Sequence, residues 1–186
     1  MSFKNIIINL KAFFFEILPI SLFFVLSQFY SIIVAALISS LLSVVTLIVF
    51  YLKEKRVAKF QIFSIFMSVS FSTVAYFLNE EIFVKIQPTI FNGIFSTVLL
   101  VGLLHEKAMM KQFFSSQFSL NESTWKTLSL RWGLFFAFLT IINELAWRNL
   151  STEEWVNVKV FVLAPLVGLF MLAQLPITIR GTIKKP

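Results

Sequence analysis

Glu144 and Arg148 stand four residues apart with the acid first, the order that favours an ion pair along one face of a helix. They occur in Asn143-Glu144-Leu145-Ala146-Trp147-Arg148-Asn149, and Trp155 and Lys159 follow at another spacing of four. Acid, base and indole at these intervals suit two kinds of chemistry. In one, tryptophans anchor a membrane boundary and the charges snorkel to water. In the other, Trp147, Arg148, Trp155 and Lys159 present a recognition patch to a partner protein or a lipid. Glu16, three residues before Pro19, is the acid placed deepest in an apolar run. If that run spans a membrane, Glu16 needs a partner such as Lys11 or a proton, and a proton-coupled role follows; if the segment tilts, Glu16 reaches water. His105 is the single histidine and there is no cysteine. That combination excludes disulfides, thiolate catalysis and Cys-type zinc sites, and leaves His105 without the companions a metal or a nucleophile needs. No Gly-rich phosphate loop, G-x-S-x-G or H-E-x-x-H occurs. No catalytic, cofactor-binding or metal site is therefore expected, and the chain reads as a non-enzyme.

The elements that must position these residues are set by hydropathy. Over 186 residues, 58% are hydrophobic and the mean hydropathy is +0.88, more apolar surface than one soluble core buries. Six apolar runs occupy residues 12–29, 31–52, 60–78, 86–104, 128–145 and 156–178. At 1.5 Å per helical residue such runs match a hydrocarbon core of about 30 Å. Strands facing lipid would leave backbone groups unpaired, and no alternating pattern suggests a barrel. The expected fold is an all-α polytopic helical membrane protein, a single transmembrane domain over 1–186. It has six spans, or five if the run at 12–29, broken by Glu16 and Pro19, is re-entrant. Lys4 and Lys11 before an apolar run have the order of a targeting segment, but no A-x-A-like cleavage site follows, so a retained anchor is expected.

Charge sets the expected orientation. The formal charge is +7, yet the basic residues are dispersed between apolar runs and form no nucleic-acid patch. With six spans and a cytoplasmic N-terminus, thirteen of the sixteen Lys and Arg fall inside, Arg131 among them, and only Lys85, Arg148 and Lys159 fall outside. A five-span arrangement still leaves eleven inside, and the C-terminus is cytoplasmic in both. Trp147 and Trp155 then mark the outer interface, and Trp125 and Trp132 the inner one. Small residues recur every fourth place as Ser31, Ala35, Ser39 and Ser43, and as Ser64, Ser68 and Ser72. These rows suit close packing of the second and third helices, or a polar track for a solute. Pro165 should bend the last helix, and Gly168 permits a close neighbour there. The loop 105–127 is either a plain connection or, through Phe113, Phe114 and Phe118, an amphipathic surface helix. The prolines Pro19, Pro88, Pro165 and Pro176 do not pair as inverted repeats would.

Three stretches carry a resemblance: Trp125-Lys126-Thr127-Leu128-Ser129-Leu130-Arg131-Trp132-Gly133-Leu134-Phe135-Phe136, then Asn143-Glu144-Leu145-Ala146-Trp147-Arg148, then Ser151-Thr152-Glu153-Glu154-Trp155-Val156-Asn157-Val158-Lys159-Val160-Phe161. Together with Phe15-Glu16-Ile17-Leu18-Pro19 they resemble the bacterial intracellular septation protein A family, across essentially the whole chain. Val158 and Val162 depart from it, standing where Phe and Gly are expected. The resemblance implies an inner-membrane protein that supports septation, cell-envelope synthesis and membrane integrity by associating, without catalysis, with division and elongation membrane proteins. It carries no catalytic residues across. In that reading Trp147, Arg148, Trp155 and Lys159 form the partner surface, and Glu16 and Pro19 set the first helix. The rival is a small transporter or lipid-handling protein that uses Glu16 and the two serine rows.

Overall fold

The computed structural model describes residues 17–55 and 57–183. Its elements are α1 (Ile17–Ser27), α2 (Ile32–Glu54), α3 (Lys59–Leu78), α4 (Ile82–Leu104), α5 (Met109–Phe114), α6 (Glu122–Asn149), α7 (Thr152–Asn157) and α8 (Ala164–Arg180), with a π-helical segment, Val158–Leu163, joining the last two. The protein is an all-α polytopic membrane protein. Among the described residues, α2, α3, α4, α6 and the continuous helix Thr152–Arg180 are long and apolar enough to cross a membrane, while α1 is shorter. Glu16 lies outside the described residues; Pro19 is half-buried within α1. The spanning helices turn apolar rows outward: Leu41, Val45, Ile48 and Leu52 on α2, and Leu130, Leu134, Ile141 and Leu145 on α6. Rows of exposed large side chains at helical spacing are stable only against lipid.

Of the helices that begin earlier than hydropathy predicts, α6 and α7 do so because polar caps start them outside the apolar stretch. Asn121 Oδ1 accepts from the Thr124 N–H at 2.8 Å, which moves the start of α6 from residue 128 to Glu122. Ser151 and Glu154 form a capping box, which starts α7 at Thr152 and not at residue 156. Pro165 acts through the π-helical segment before it. A proline ring clashes with the carbonyl four residues back and offers no N–H, and here the Ala164 N–H bonds the Lys159 carbonyl five residues back.

The helices fall into two compact units, one of residues up to Val57 with Gln61–Val84, the other of Ala58–Phe60 with Lys85 onward. In the first, the Ser40 and Ser72 hydroxyls are 2.9 Å apart in the interior, so α2 and α3 pack through small residues. Ser72 belongs to its predicted row. Its partner, Ser40, is one position round from the row Ser31, Ala35, Ser39, Ser43, since Ala35, Ser39 and Ser40 are all buried and the packed arc is wider than one row. The carbonyls of Leu37 and Val69 lie 2.8 and 3.1 Å from these two hydroxyls. One hydroxyl therefore donates across and the other back to its own helix.

In the second unit α4 and α6 run antiparallel at close range. Ser96 Oγ donates to the Gly133 carbonyl at 2.9 Å, and a Cβ on Gly133 would lie 2.7 Å from Leu100 Cδ2. Any larger residue there would have to displace the Leu100 side chain. Ser129 Oγ accepts from the Met110 N–H at 3.1 Å and ties down the loop after α4. That loop contains α5, whose Phe113 and Phe114 pack on Phe95 and Phe60, in a cluster with Phe91 and Phe136. They therefore serve the bundle, not the membrane surface. The end of α8 returns to the start of α6, where Asn121 N–H bonds the Gly181 carbonyl at 2.9 Å and Leu120 bridges Thr182.

Candidate functional site

A buried amide organises one end of the second unit. Asn143 lies in the sixth turn of α6, 1% exposed, in a stretch that is otherwise apolar. A side-chain amide in such a place must satisfy two N–H donors and an acceptor internally. Asn143 Nδ2 donates to the Lys85 carbonyl at 2.9 Å and to Thr89 Oγ1 at 2.8 Å, both near the start of α4. Its Oδ1 accepts from Trp155 Nε1 at 3.2 Å. One side chain thus joins α4, α6 and α7 with every polar group matched.

Around this amide lie the charged groups. Lys85 Nζ donates to Thr152 Oγ1 at 2.7 Å, a second tie between α4 and the start of α7. Glu144 accepts from Trp147 Nε1 at 2.8 Å and from Arg148 Nε, as the four-residue spacing predicts. The Arg148 guanidinium lies 4.5 Å from the centre of the Trp147 ring, and the Lys159 ammonium 4.7 Å from that of Trp155. Each cation is held over an indole face, an attraction that strengthens as water is excluded. Glu144 and Arg148 make a compact group whose arginine is exposed.

This end brings together Asn143, Glu144, Trp147, Arg148, Trp155 and Lys159. Trp155 has a different part from the one expected. At 1% exposure it presents no surface to a partner; it is the floor under Lys159 and the donor to Asn143. Trp125, assigned to an inner aromatic belt, is likewise buried, because the early start of α6 places it in the first turn beneath its neighbours. Arg131 and Trp132 lie toward the other end of α6. Arg131 donates to Gln174 Oε1 of α8 at 3.3 Å, and Trp132 meets Phe170 edge to face at 4.9 Å. Phe170 also stacks on Phe135 at 3.9 Å.

Lys85, Thr89, Thr152 and Gln174 complete these contacts and are not distinguished by sequence spacing. A usable signal existed for one of them, Gln174. An uncharged amide inside an apolar run, such as Asn143 or Gln174, must find partners on another helix or its own backbone.

The family model for intracellular septation protein A matches residues 11–185. Among curated proteins, the inner membrane-spanning protein YciB of Mesorhizobium japonicum is 41% identical over 113 residues, 61% of this chain and 50% of that protein. The protein of the same name from Brucella suis is 43% identical over 107 residues, 58% of this chain and 54% of its own length. The one from Bradyrhizobium is 34% identical over 165 residues, 89% and 82% respectively. Matches to the first two relatives thus span about half of their length, and the third match spans most of both chains. None of these names is that of an enzyme. No solved structure matches the chain.

Proposed function

The chain belongs to the intracellular septation protein A family and is a multi-pass protein of the inner membrane, and we propose that it works there as a non-catalytic scaffold for septation and cell-envelope synthesis, associating with division and elongation membrane proteins. The observation that carries the reading is the Glu144–Trp147–Arg148 group, held at the rim by the saturated Asn143 contacts beneath it. A rigid, exposed arginine stacked on tryptophan is the composition of a contact hot spot, because little side-chain freedom is lost on binding. Trp147, Arg148 and Lys159 form the contact face, with Trp155 fixing Lys159 from inside.

Orientation is part of the proposal. In the second unit, the end where α4 stops, α6 starts and α8 stops carries Lys107, Lys111, Lys126, Arg131 and Arg180 against Glu106 and Glu122. The opposite end mixes Lys85, Arg148 and Lys159 with Glu144, Glu153 and Glu154. This asymmetry supports a cytoplasmic C-terminus and an outward contact face. The hydroxyls of Ser40, Ser43 and Ser72 bond each other or their own helices, which favours packing over a solute track.

The test replaces Trp147 and Arg148 together by alanine in the full chain expressed in its host. With protein levels unchanged, septation defects and loss of in-cell crosslinks to division or elongation proteins are expected. Normal septation with crosslinks intact removes this face from the function.

A further inference from the structure

Arg131 is a cation set within the spanning helix α6. Arg148 pairs with Glu144 and Lys111 with Glu122, whereas Arg131 meets no carboxylate among the described residues. Among the described residues its sole hydrogen bond is from one guanidinium nitrogen to Gln174 Oε1. Gln174 is 6% exposed, and its own amide nitrogen donates to the Phe170 carbonyl at 3.2 Å. The acceptor is therefore fixed, and it pins one edge of the guanidinium. Arg131 itself is exposed, with four of its five N–H donors lacking an acceptor among the described residues.

Depth identifies what those donors meet. With 28 residues, α6 is about 42 Å long and exceeds the hydrocarbon core of about 30 Å by roughly 6 Å at each end. Arg131 is nine residues beyond Glu122, so its Cα lies about 14 Å along the helix and roughly 8 Å inside the boundary. Helical side chains lean toward the N-terminus, here toward that boundary, and an extended arginine returns its head to the edge of the hydrocarbon core, where the headgroup layer begins. Leu130 and Leu134 flank it in sequence on α6, and Leu175 and Ile179 follow its partner Gln174 on α8; all four are exposed, an apolar surface for acyl chains that a free anion would leave bare. Lys126 and Arg180 are exposed at the same end, and the nearest acid on α6, Glu122, is engaged by Lys111.

We propose that Arg131, oriented by Gln174, binds the phosphodiester of an anionic phospholipid at the basic end of the second unit. The planar fork donates to two phosphate oxygens side by side, which a lysine cannot do, and the neighbouring cations favour a headgroup without a compensating ammonium.

The full chain is reconstituted in nanodiscs of equal phosphatidylglycerol and phosphatidylcholine, released into mild detergent, and its retained lipid counted by native mass spectrometry. The wild type is expected to retain phosphatidylglycerol about tenfold over phosphatidylcholine, because the choline ammonium meets the cations around the phosphate and the uncharged glycerol does not. Arg131→Gln brings the ratio to near parity. Lys126→Gln, the same change in charge away from the Gln174 contact, lowers it by less than about twofold. Arg131→Lys, which keeps the charge and loses the fork, lowers it several-fold and stands in if Arg131→Gln fails to fold by circular dichroism. Equal retention by the wild type and Arg131→Gln overturns the site. So does an equal effect of Lys126→Gln, which means general surface charge, or displacement of the lipid by millimolar inorganic phosphate, which means a soluble anion site.

Discussion

Replacing Asn143 by leucine, whose side chain has the same branched skeleton of four heavy atoms, tests whether one amide holds three helices. The change removes the contacts to the Lys85 carbonyl, Thr89 Oγ1 and Trp155 Nε1. Two of the three abandoned groups can satisfy each other, because Thr89 is four residues after Lys85 on the same helix. Thr97, Thr127, Thr140 and Thr178 all already bond the carbonyl four residues back. The Trp155 indole N–H has no such relief, since the residue is buried and Asn143 is its acceptor. One orphaned buried donor costs about 1–3 kcal/mol. Interhelical hydrogen bonds in membranes average about 0.6 kcal/mol and reach about 1.7, because the unfolded chain in lipid finds other partners. A loss of about 2 kcal/mol is expected for Asn143→Leu, with about 1 kcal/mol of coupling to Trp155→Phe, which removes the donor. Reversible unfolding by SDS in mixed micelles, run on both single variants and the double variant, measures each quantity. A loss below about 0.5 kcal/mol, or additivity between the two, refutes the idea that this bond is what fixes α7.

Two further outcomes follow from packing. Gly133→Ala places a methyl 2.7 Å from Leu100 Cδ2 and 3.3 Å from Leu99 Cβ, so it should destabilise by about 1–3 kcal/mol in the same unfolding assay, with partial recovery on adding Leu100→Ala. A Ser40→Ala, Ser72→Ala cycle should show coupling of about 0.6 kcal/mol, and additivity there would mean that each hydroxyl bonds only its own helix.

Hydropathy alone reveals that the chain crosses a membrane as helices, because length and apolar content act residue by residue and need no tertiary knowledge. The helix starts at Glu122 and Thr152 were written in Asn121 and in the Ser151 and Glu154 pair, but a rule that follows only apolar runs passes over polar first turns. The Glu144 and Arg148 pair was legible for the same local reason, four residues on one helix. What spacing could not supply was the third dimension. Trp155 looks like an interfacial anchor by type, and its burial depends on Asn143, twelve residues away across a helix reversal. Arg131 looks like an ordinary inside cation until Gln174, forty-three residues on, comes to lie beside it. In the serine rows, period four marks the packed side of a helix without saying which of two adjacent residues, Ser39 or Ser40, meets the neighbour.

The widened turn at Val158–Leu163 sets the phase of the last helix. Nineteen residues separate Trp155 from Gln174, and an unbroken α-helix advancing about 100° per residue would leave the two about 100° apart in azimuth. A π turn absorbs roughly one additional residue, so the pair behaves as if eighteen apart, which is five whole revolutions. That is why a single helix can offer Trp155 to Asn143 near one end and Gln174 to Arg131 near the other. The helix carries one surplus residue. Shortened by one inside that turn, it could straighten and keep both neighbours, whereas the same shortening beyond Pro165 would swing Gln174 away from α6 and leave Arg131 without its guide.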